Sequence, residues 1–195
     1  MSNRQRMADG QVDAFVAAVN ASHKLPLSCD SIPEPCRLVE TDGFCDWRIV
    51  PSQGASWIPE LEGQLPFGWP LTFRSLISRY LFPSFECGPL QFYSVGVTDP
   101  IQEVSELRTA VLRDRPLLAV LWKNGYLPFA RPEDGSYDPV CFDRRKKADS
   151  TEPAIVRIDH EEILCRDRLR IKQIVSPSFG SLLEEMTSRL SSRYP

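Results

Sequence analysis

The sequence predicts an α+β fold, with a central, mostly antiparallel sheet and flanking helices in one domain. Helical periodicity appears early in the chain, candidate strands cluster in its middle, and a helical pattern ends it. Regular alternation of strands with helices, the mark of a parallel doubly wound sheet, is missing. The chain has 17 prolines among 195 residues. Each proline fixes φ and removes a backbone donor, so short elements with rigid connections are expected.

The first predicted helix has Asp9 as its candidate N-cap. Apolar residues follow at helical spacing, namely Val12, Phe15, Val16 and Val19. Residues 23–43 are rich in proline, serine, cysteine and aspartate, which predicts a long irregular connection. Residues 44–50 are then predicted to form a strand that turns at residues 51–54.

A second helix is predicted over residues 70–82, because Pro70 suits a first helical turn and Pro83 ends the pattern. Its apolar face consists of Phe73, Leu76, Ile77, Tyr80 and Leu81. A short strand is predicted over residues 90–95.

Asp99 and Pro100 predict the start of a third helix, with Gln102 three residues after the cap as in a capping box. Residues 117–122 fit either a helix or a strand. In the second case Asn124-Gly125 would form a type I′ turn into the next strand. Periodicity does not decide for a run this short.

Residues 140–142, 154–158 and 168–175 are predicted strands that complete the sheet. The closing helix begins at Ser176-Pro177. Its apolar face consists of Phe179, Leu182, Leu183, Met186 and Leu190. We divide the chain into an N-terminal helix and irregular segment at residues 1–57 and an α+β domain at residues 58–195, expected to form one compact unit.

The charge balance bears on the class of partner. The net charge is −3 and the isoelectric point about 5.5, which disfavours nucleic-acid binding. Hydrophobic residues at 42% and charged residues at 25% are typical of soluble globular chains. No stretch approaches the roughly 20 apolar residues that span a bilayer. We therefore expect no membrane partner.

The cysteines and the N-terminus bear on the compartment. Residues 1–10 carry charge with no apolar run after them, so they do not resemble a secretory signal. The six cysteines would fit three bridges in a secreted protein. Without a signal, reduced thiols in a cytoplasmic protein are favoured.

No catalytic, cofactor or metal site is predicted. The glycine-rich phosphate and dinucleotide motifs are absent, as is the nucleophile elbow of hydrolases. His160 and Cys165 are the nearest approach to a nucleophile pair, but no cysteine-enzyme signature surrounds them. Cys165 is predicted to be a small buried hydrophobe and His160 a surface or turn residue. A zinc set would have to come from His23, Cys29, Cys36 and Cys45, whose spacing lacks a close pair.

A protein partner is the remaining prediction from the charged and aromatic residues. The basic run at residues 144–147 is flanked by acids and reads as a solvated loop. A group of acidic residues, several of them on predicted turns at the sheet ends, fits either ordinary surface charge or a patch that covers a basic partner. This group comprises Glu133, Asp134, Asp138, Asp159, Glu161 and Glu162. Candidate aromatic anchors are Trp57, Trp69, Trp122 and Tyr137, of which Trp69 and Trp122 also fit a core. The predicted partner-binding residues are Trp57, Glu133, Asp134, Tyr137, Asp138, Asp159 and Glu161.

Several stretches together resemble the SUKH superfamily, which includes the fungal cell-wall-synthesis regulators Smi and Knr and many bacterial relatives. Leu65-Pro66 and the helix after it resemble the family's Leu-Pro dipeptide and helix, and residues 88–92 resemble its next strand. Residues 127–130 and 135–143 look like its paired strands around a Gly-Asp-type turn. Residues 153–160 and the apolar face of the closing helix look like its last strand and helix. The resemblance covers about residues 58–190.

The resemblance implies an α+β fold without enzymatic activity. Bacterial members of the family serve as immunity proteins that neutralise a toxin by binding it, and other members are regulatory adaptors. We therefore expect a non-enzymatic protein-binding domain, most specifically an immunity protein against a toxin such as a nuclease. The alternative is a regulatory adaptor for which residues 1–56 form a client-specific arm. An enzyme that uses Cys165 and His160 is a remote third hypothesis.

Overall fold

The computed structural model describes residues 1–52, 57–96, 105–145 and 152–193. Within these ranges the α-helices are α1 (Asn3–Ala21), α2 (Trp57–Glu62), α3 (Leu71–Arg79), α4 (Glu106–Leu112), α5 (Arg115–Lys123), α6 (His160–Arg166) and α7 (Phe179–Arg193). The strands are β1 (Leu27–Ser28), β2 (Arg37–Thr41), β3 (Phe44–Trp47), β4 (Val50–Pro51), β5 (Tyr80–Leu81), β6 (Phe85–Cys87), β7 (Leu90–Phe92), β8 (Tyr126–Pro132), β9 (Val140–Asp143), β10 (Ile155–Ile158) and β11 (Ile171–Ser176). The predicted α+β class is confirmed.

The main sheet contains β6 to β11 in chain order, and every neighbouring pair is antiparallel. Leu127 on β8 lies opposite Phe142 on β9, and Phe142 lies opposite Ile155 on β10. The central strands are buried along almost their whole length, which requires cover on both faces. The strands β6 and β11 form the two edges of this sheet.

Alternate residues of the central strands enter two separate cores, because successive side chains of a strand point to opposite faces. On β9, Phe142 belongs to the larger core and Cys141 to the smaller one. The larger core contains α1, α3 and α7, whose Phe15, Phe73 and Phe179 are almost fully buried. The smaller core lies under α5 and α6. Residues from both ranges of the predicted division, 1–57 and 58–195, share the larger core.

The first helix begins earlier than predicted. Asn3 is its first residue, and the Ser2 hydroxyl accepts a hydrogen bond from the Gln5 amide. Asp9 lies inside the helix, where its carboxylate accepts a 2.5 Å hydrogen bond from the Ser75 hydroxyl of α3. The N-cap prediction for Asp9 was therefore wrong, since the carboxylate serves helix packing. The predicted apolar stripe of this helix is confirmed as buried.

The prediction of an irregular connection over residues 23–43 was also wrong. This stretch contains β1 and β2, which pair on either side of β3 in a second, three-stranded sheet. Asp42 and Gly43 join β2 to β3 with φ values of +52° and +81°, a backbone that suits a tight hairpin turn. Proline-rich composition concealed these strands because their pairing is set by β3 and not by local propensity.

Pairing between distant segments also changed two predicted boundaries. The predicted strand at residues 44–50 ends at Trp47, and the separate short strand β4 then pairs with β5. The predicted helix at residues 70–82 ends at Arg79, because Tyr80 and Leu81 form β5. Tertiary pairing thus replaced the last helical turn that the apolar periodicity suggested.

The ambiguous residues 117–122 are helical and belong to α5. Asp114 caps this helix by accepting from the Leu117 amide, and Gly125 follows it with a φ of +81°. The helix start predicted at Asp99, with Pro100 and Gln102, lies outside the described residues. The described helix α4 has Ser105 as its N-cap.

The cysteines depart from the predicted reduced state. Cys29 and Cys45 form a disulfide that joins β1 to β3. Cys36, Cys87 and Cys141 are buried free thiols, whereas Cys165 is exposed. The prediction that Cys165 is buried was therefore wrong, because α6 turns this side chain away from the smaller core.

We expect one cysteine to react with iodoacetamide in the folded protein, four after unfolding without reductant, and six after reduction. Burial raises the pKa of Cys36 to about 12 and that of Cys87 to about 11, and it raises the pKa of Cys141 well above the ordinary thiol value. Only a thiolate attacks the reagent, so Cys165 alone should react before unfolding. Peptide mass spectrometry identifies each labelled site. Labelling of Cys29 or Cys45 in the unfolded, unreduced chain would contradict the disulfide.

Among the helices that the structure describes, none combines the length and the apolar character that crossing a bilayer requires.

Candidate functional site

The connection between β8 and β9 carries most of the predicted partner-binding residues, and we name residues 133–138 the Tyr137 turn. Its first residue, Glu133, donates its amide to the Pro89 carbonyl at 3.1 Å. Asp134 then accepts from the Ser136 amide at 3.0 Å, an Asx turn that sets the local backbone. Gly135 between them has a φ of +74°, which glycine adopts without strain.

Arg157 of β10 clamps this turn at three points. Its guanidinium lies 2.8 Å from the Asp138 carboxylate, 2.7 Å from the Asp134 carboxylate and 3.0 Å from the Ser136 hydroxyl. A guanidinium presents its donors in a fixed fork. The three contacts therefore fix the position of the whole turn relative to the sheet.

Asp138 lies at the centre of a buried ion cluster. Its side chain is 0% exposed. Besides Arg157, it accepts from Lys172 Nζ at 2.9 Å, from His160 Nδ1 at 2.8 Å and from the His160 amide at 3.1 Å. Both carboxylate oxygens are thus fully engaged, as a buried charge requires.

Asp159 is the second buried carboxylate of the cluster. It caps α6 by accepting from the amides of Glu161 at 3.0 Å and Glu162 at 3.3 Å. Arg170 pairs with its other oxygen, Oδ2, and Lys172 Nζ lies 3.6 Å from the capping oxygen, Oδ1. Lys172 therefore lies between Asp138 and Asp159 and joins them into one network.

These contacts correct the predicted acidic surface. Asp138 and Asp159 are 0% and 2% exposed, so neither can contact a partner in the folded protein. Cations from β10 and β11 surround them because those strands return to the same end of the sheet. Glu133, Asp134 and Glu161 remain exposed as expected.

The cluster shifts the titration of its carboxylates. Burial alone would raise the pKa of Asp138, but hydrogen bonds from His160, Lys172 and Arg157 hold it well below the usual range. For Asp159, burial again opposes the shift, and Arg170 with the α6 amides lowers the pKa. Both groups are therefore carboxylates throughout the neutral range.

We expect acid to destabilise the protein through this cluster. A depressed native pKa stabilises the fold at any pH above the unfolded value, about 3.9 for aspartate. This contribution should shrink as the pH falls from about 4 towards the lower native pKa. Urea midpoints measured from pH 6 down to pH 2 test this, and Asp138→Asn should flatten the curve. If the urea midpoint of Asp138→Asn fell with pH as steeply as that of wild type, other carboxylates would dominate the acid destabilisation.

Tyr137 is the residue that the turn displays. Its side chain is 69% exposed. Its ring lies edge-on to His160 at 6.0 Å between centroids, and the Arg131 guanidinium lies 5.5 Å from the ring. Arg131 also lies 5.6 Å from the Tyr93 ring. The structure thus places an exposed aromatic side chain on a backbone that the ion cluster fixes.

The other candidate anchors are less available to a partner. Trp57 begins α2 and packs, partly buried, against the larger core. Trp69 is buried with its ring 5.0 Å from that of Phe73. Trp122 packs partly buried against the smaller core. Tyr137 is therefore the strongest remaining anchor in the predicted set.

His160 and Cys165 do not form the geometry of a nucleophile pair. They are five positions apart on α6, which places their side chains about 140° apart around the helix axis. His160 also directs Nδ1 to Asp138 rather than to a sulfur atom. The structure therefore gives no support to a shared nucleophile site at these two residues.

Among the described residues, two groups of side chains have the donors of a metal site, but these donors are already engaged. Asp138, Asp159 and His160 present ligand atoms close together, yet Arg157, Lys172 and Arg170 occupy their carboxylates. Cys29 and Cys45 lie beside Glu40, but a disulfide uses both sulfur atoms.

A cleft of about 710 Å³ lies at the β6 edge of the main sheet, between the end of α1 and α7. Trp47, Phe85 and Met186 give it an apolar lining. Lys24 reaches it, but its ammonium already donates to the carbonyls of Val19 and Asn20 at 2.8 and 3.3 Å. The cleft therefore offers apolar surface without a free cation from Lys24.

Sequence reasoning missed the cations of the ion cluster. Arg157 and Lys172 lie 19 and 34 residues from Asp138 along the chain. No local spacing marks such a set. The available signal was a basic residue within each of two adjacent strands, which is also common on solvated strand faces.

No family model, no curated protein and no solved structure matches this chain in comparison searches. The resemblance to the SUKH superfamily consequently stays a prediction from the residues quoted above.

Proposed function

We propose that this chain is a non-enzymatic protein-binding domain, and more specifically an immunity protein that neutralises a toxin by direct binding. The observation that supports it is Tyr137, exposed on a turn that Arg157 and the buried Asp138 fix in place. Tyrosine is enriched at interface hot spots. A turn that is already ordered loses little conformational entropy when it binds.

The charges around Tyr137 favour a basic partner. Glu133 and Glu161 are exposed and lie in no ion pair within the described part of the chain. Arg157 neutralises Asp134, and Arg131 is the cation beside the tyrosine ring. Free carboxylates near an aromatic anchor suit a positively charged surface such as that of a nuclease, and they increase the association rate.

Tyr137→Ala should weaken partner binding at least about tenfold, since a hot-spot residue contributes more than about 1.4 kcal/mol. The tagged protein would first be purified from its native host, and its stoichiometric partner identified by mass spectrometry. Titration calorimetry with the purified partner then compares wild type, Tyr137→Ala and Ile174→Ala. Ile174 is an equally exposed apolar residue on β11, so its replacement should leave the affinity unchanged.

Cell survival separates the immunity proposal from protein binding in general. Cells that produce the partner's toxin domain should survive with wild type and die with Tyr137→Ala. Equal affinity of Tyr137→Ala and wild type would exclude the Tyr137 turn as the binding site. Binding without protection would exclude immunity and leave an adaptor.

The adaptor alternative has its own structural support. Residues 37–44 form a second exposed surface within the segment assigned to a client-specific arm. Deleting residues 1–56 is not a usable test, because Phe15 and Val12 of α1 lie in the larger core. A housekeeping enzyme or cell-envelope assembly as the co-purified partner would favour the adaptor.

The proposal also includes a cytoplasmic location. The Cys29–Cys45 disulfide is an observation against this location, because disulfides persist in oxidising compartments. Alkylation of thiols in intact cells before lysis decides between the two. Labelled Cys29 and Cys45 would support the cytoplasm, and unlabelled ones would exclude a reducing environment.

A further inference from the structure

The hairpin formed by β2 and β3 exposes apolar side chains on a sheet edge to which no other described strand pairs. Leu38, Val39 and Phe44 are 50%, 64% and 55% exposed. All five residues of β2 are exposed, and β2 lies at the edge of its sheet. A free edge presents unpaired backbone donors and acceptors, to which another strand can pair.

This hairpin is held rigidly. The Cys29–Cys45 disulfide joins β3 to β1, and the buried Trp47 anchors the end of β3 in the larger core. The Trp47 indole also donates to the Leu25 carbonyl at 3.3 Å. An edge that is ordered before binding loses less entropy when a strand adds to it.

The same surface is strongly acidic. Its carboxylates belong to Asp30, Glu34, Glu40, Asp42 and Asp46, all exposed, against the cations Arg37, Arg48 and Lys24, the last of which interacts electrostatically with Asp46. Within the described residues, none of the five acids forms a salt bridge. The hairpin region therefore has unneutralised negative charge beside its exposed apolar side chains.

We propose that β2 is a docking edge to which a basic, extended segment of a partner protein adds as a further strand. Backbone hydrogen bonds would provide affinity, and side chains of the added strand would provide specificity. Its lysines or arginines would face Glu40 and Asp42, and its apolar residues would cover Val39 and Phe44. A second copy of this chain is less complementary than a basic segment, because both copies would bring the same excess of acids around the hairpin. The proposal does not depend on the Tyr137 turn.

The test uses peptides in which lysine alternates with valine, and matched peptides with glutamate in place of lysine. Amide spectra of the ¹⁵N-labelled protein should shift along β2 and β3 with the lysine peptide alone. The same shifts should occur in Tyr137→Ala, which separates this surface from the proposed toxin site. Shifts confined to other residues, or an absence of shifts, would overturn the proposal.

Variants on the edge test both components of the interaction. The double variant Glu40→Gln, Asp42→Asn should weaken binding of the lysine peptide about three- to tenfold, since exposed ion pairs contribute modestly to affinity. Asparagine keeps the positive φ of position 42 accessible. Glu40→Pro should abolish binding by blocking strand addition, because Thr41 and Phe44 pair across the turn and the Glu40 amide therefore points away from β3. Glu86→Gln neutralises an exposed acid on the edge strand β6 and should bind as wild type does.

Two controls keep these outcomes interpretable. Circular dichroism and the urea midpoint should show that each variant is folded, because the replaced side chains are exposed and the proline removes an amide that points away from β3. Sedimentation of the free protein tests self-association. A dimer that Glu40→Pro dissociates would overturn the proposal in favour of a second copy. Equal binding of the lysine and glutamate peptides would overturn the proposed basic partner.

Discussion

Replacing Asp138 by asparagine is expected to lower the free energy of unfolding by about 3 kcal/mol. The carboxylate is fully buried and pairs with Arg157 and Lys172 at 2.8 and 2.9 Å. Removing its charge leaves these two cations close together without their shared counter-ion, and loss of one member of a buried ion pair is strongly destabilising. Urea unfolding at pH 7, followed by tryptophan fluorescence, measures the change.

Asp134→Asn is the matched control for Asp138→Asn. Asp134 pairs with the same guanidinium of Arg157 at 2.7 Å, but its side chain is half exposed. Water and salt screen an exposed pair, so the midpoint should change far less. Equal losses of unfolding free energy in the two variants would mean that the burial of Asp138 does not increase its contribution to stability.

Asp138→Asn should reduce both the stability of the protein and its proposed partner binding. Arg157 holds Asp138, Asp134 and Ser136, so it fixes the backbone on either side of Tyr137. Loss of the buried carboxylate should loosen the turn and add an entropic cost to binding. Asp138→Asn should therefore also lower the affinity for the partner, although residue 138 does not reach the surface.

Replacing Phe73 by alanine is expected to cost about 3–5 kcal/mol of stability. Phe73 on α3 is 2% exposed. Its ring centroid lies 5.3 Å from Phe129, 5.2 Å from Phe142 and 5.2 Å from Phe179. The truncation removes apolar surface and leaves a cavity where α3, α7 and the sheet meet, and packed interiors relax only partly. Thermal unfolding should show a midpoint about 10 °C lower.

Phe44→Ala is the control for this core variant, since it deletes the same side chain where it is 55% exposed. The expected change is within about 0.5 kcal/mol. A loss of the same size in both variants would show that Phe44 packs against more than the structure indicates. The two variants also separate stability from binding, because Phe44→Ala should affect only the docking edge.

The sequence alone was sufficient where local interactions decide the structure. The buried stripe of α1 and the apolar face of α7 follow from helical periodicity, since one face of each helix contacts the core. The short strands β9 and β10 follow from compact apolar runs bounded by turn residues. Tyr137 was predicted as an aromatic anchor for a partner, and its side chain is exposed.

The sequence was not sufficient where distant segments meet. It did not indicate that β1 and β2 pair with β3, that Cys29 and Cys45 bond, or that Tyr80 leaves α3 to pair with β4. These contacts join segments whose local composition favours other structures. Loop closure and strand pairing are decided by the whole chain, so no window of neighbouring residues contains the information.

The acidic residues show the same division within the candidate site. The sequence predicted that several of the acids Glu133, Asp134, Asp138, Asp159 and Glu161 would lie on turns at the sheet ends, whereas Glu161 lies in α6. Only the tertiary structure decided that Asp138 and Asp159 are buried under cations while the other three face solvent. A carboxylate can be buried only where partners offset the cost of removing it from water. For Asp138 these partners come from β10 and β11, which the antiparallel sheet brings to one end.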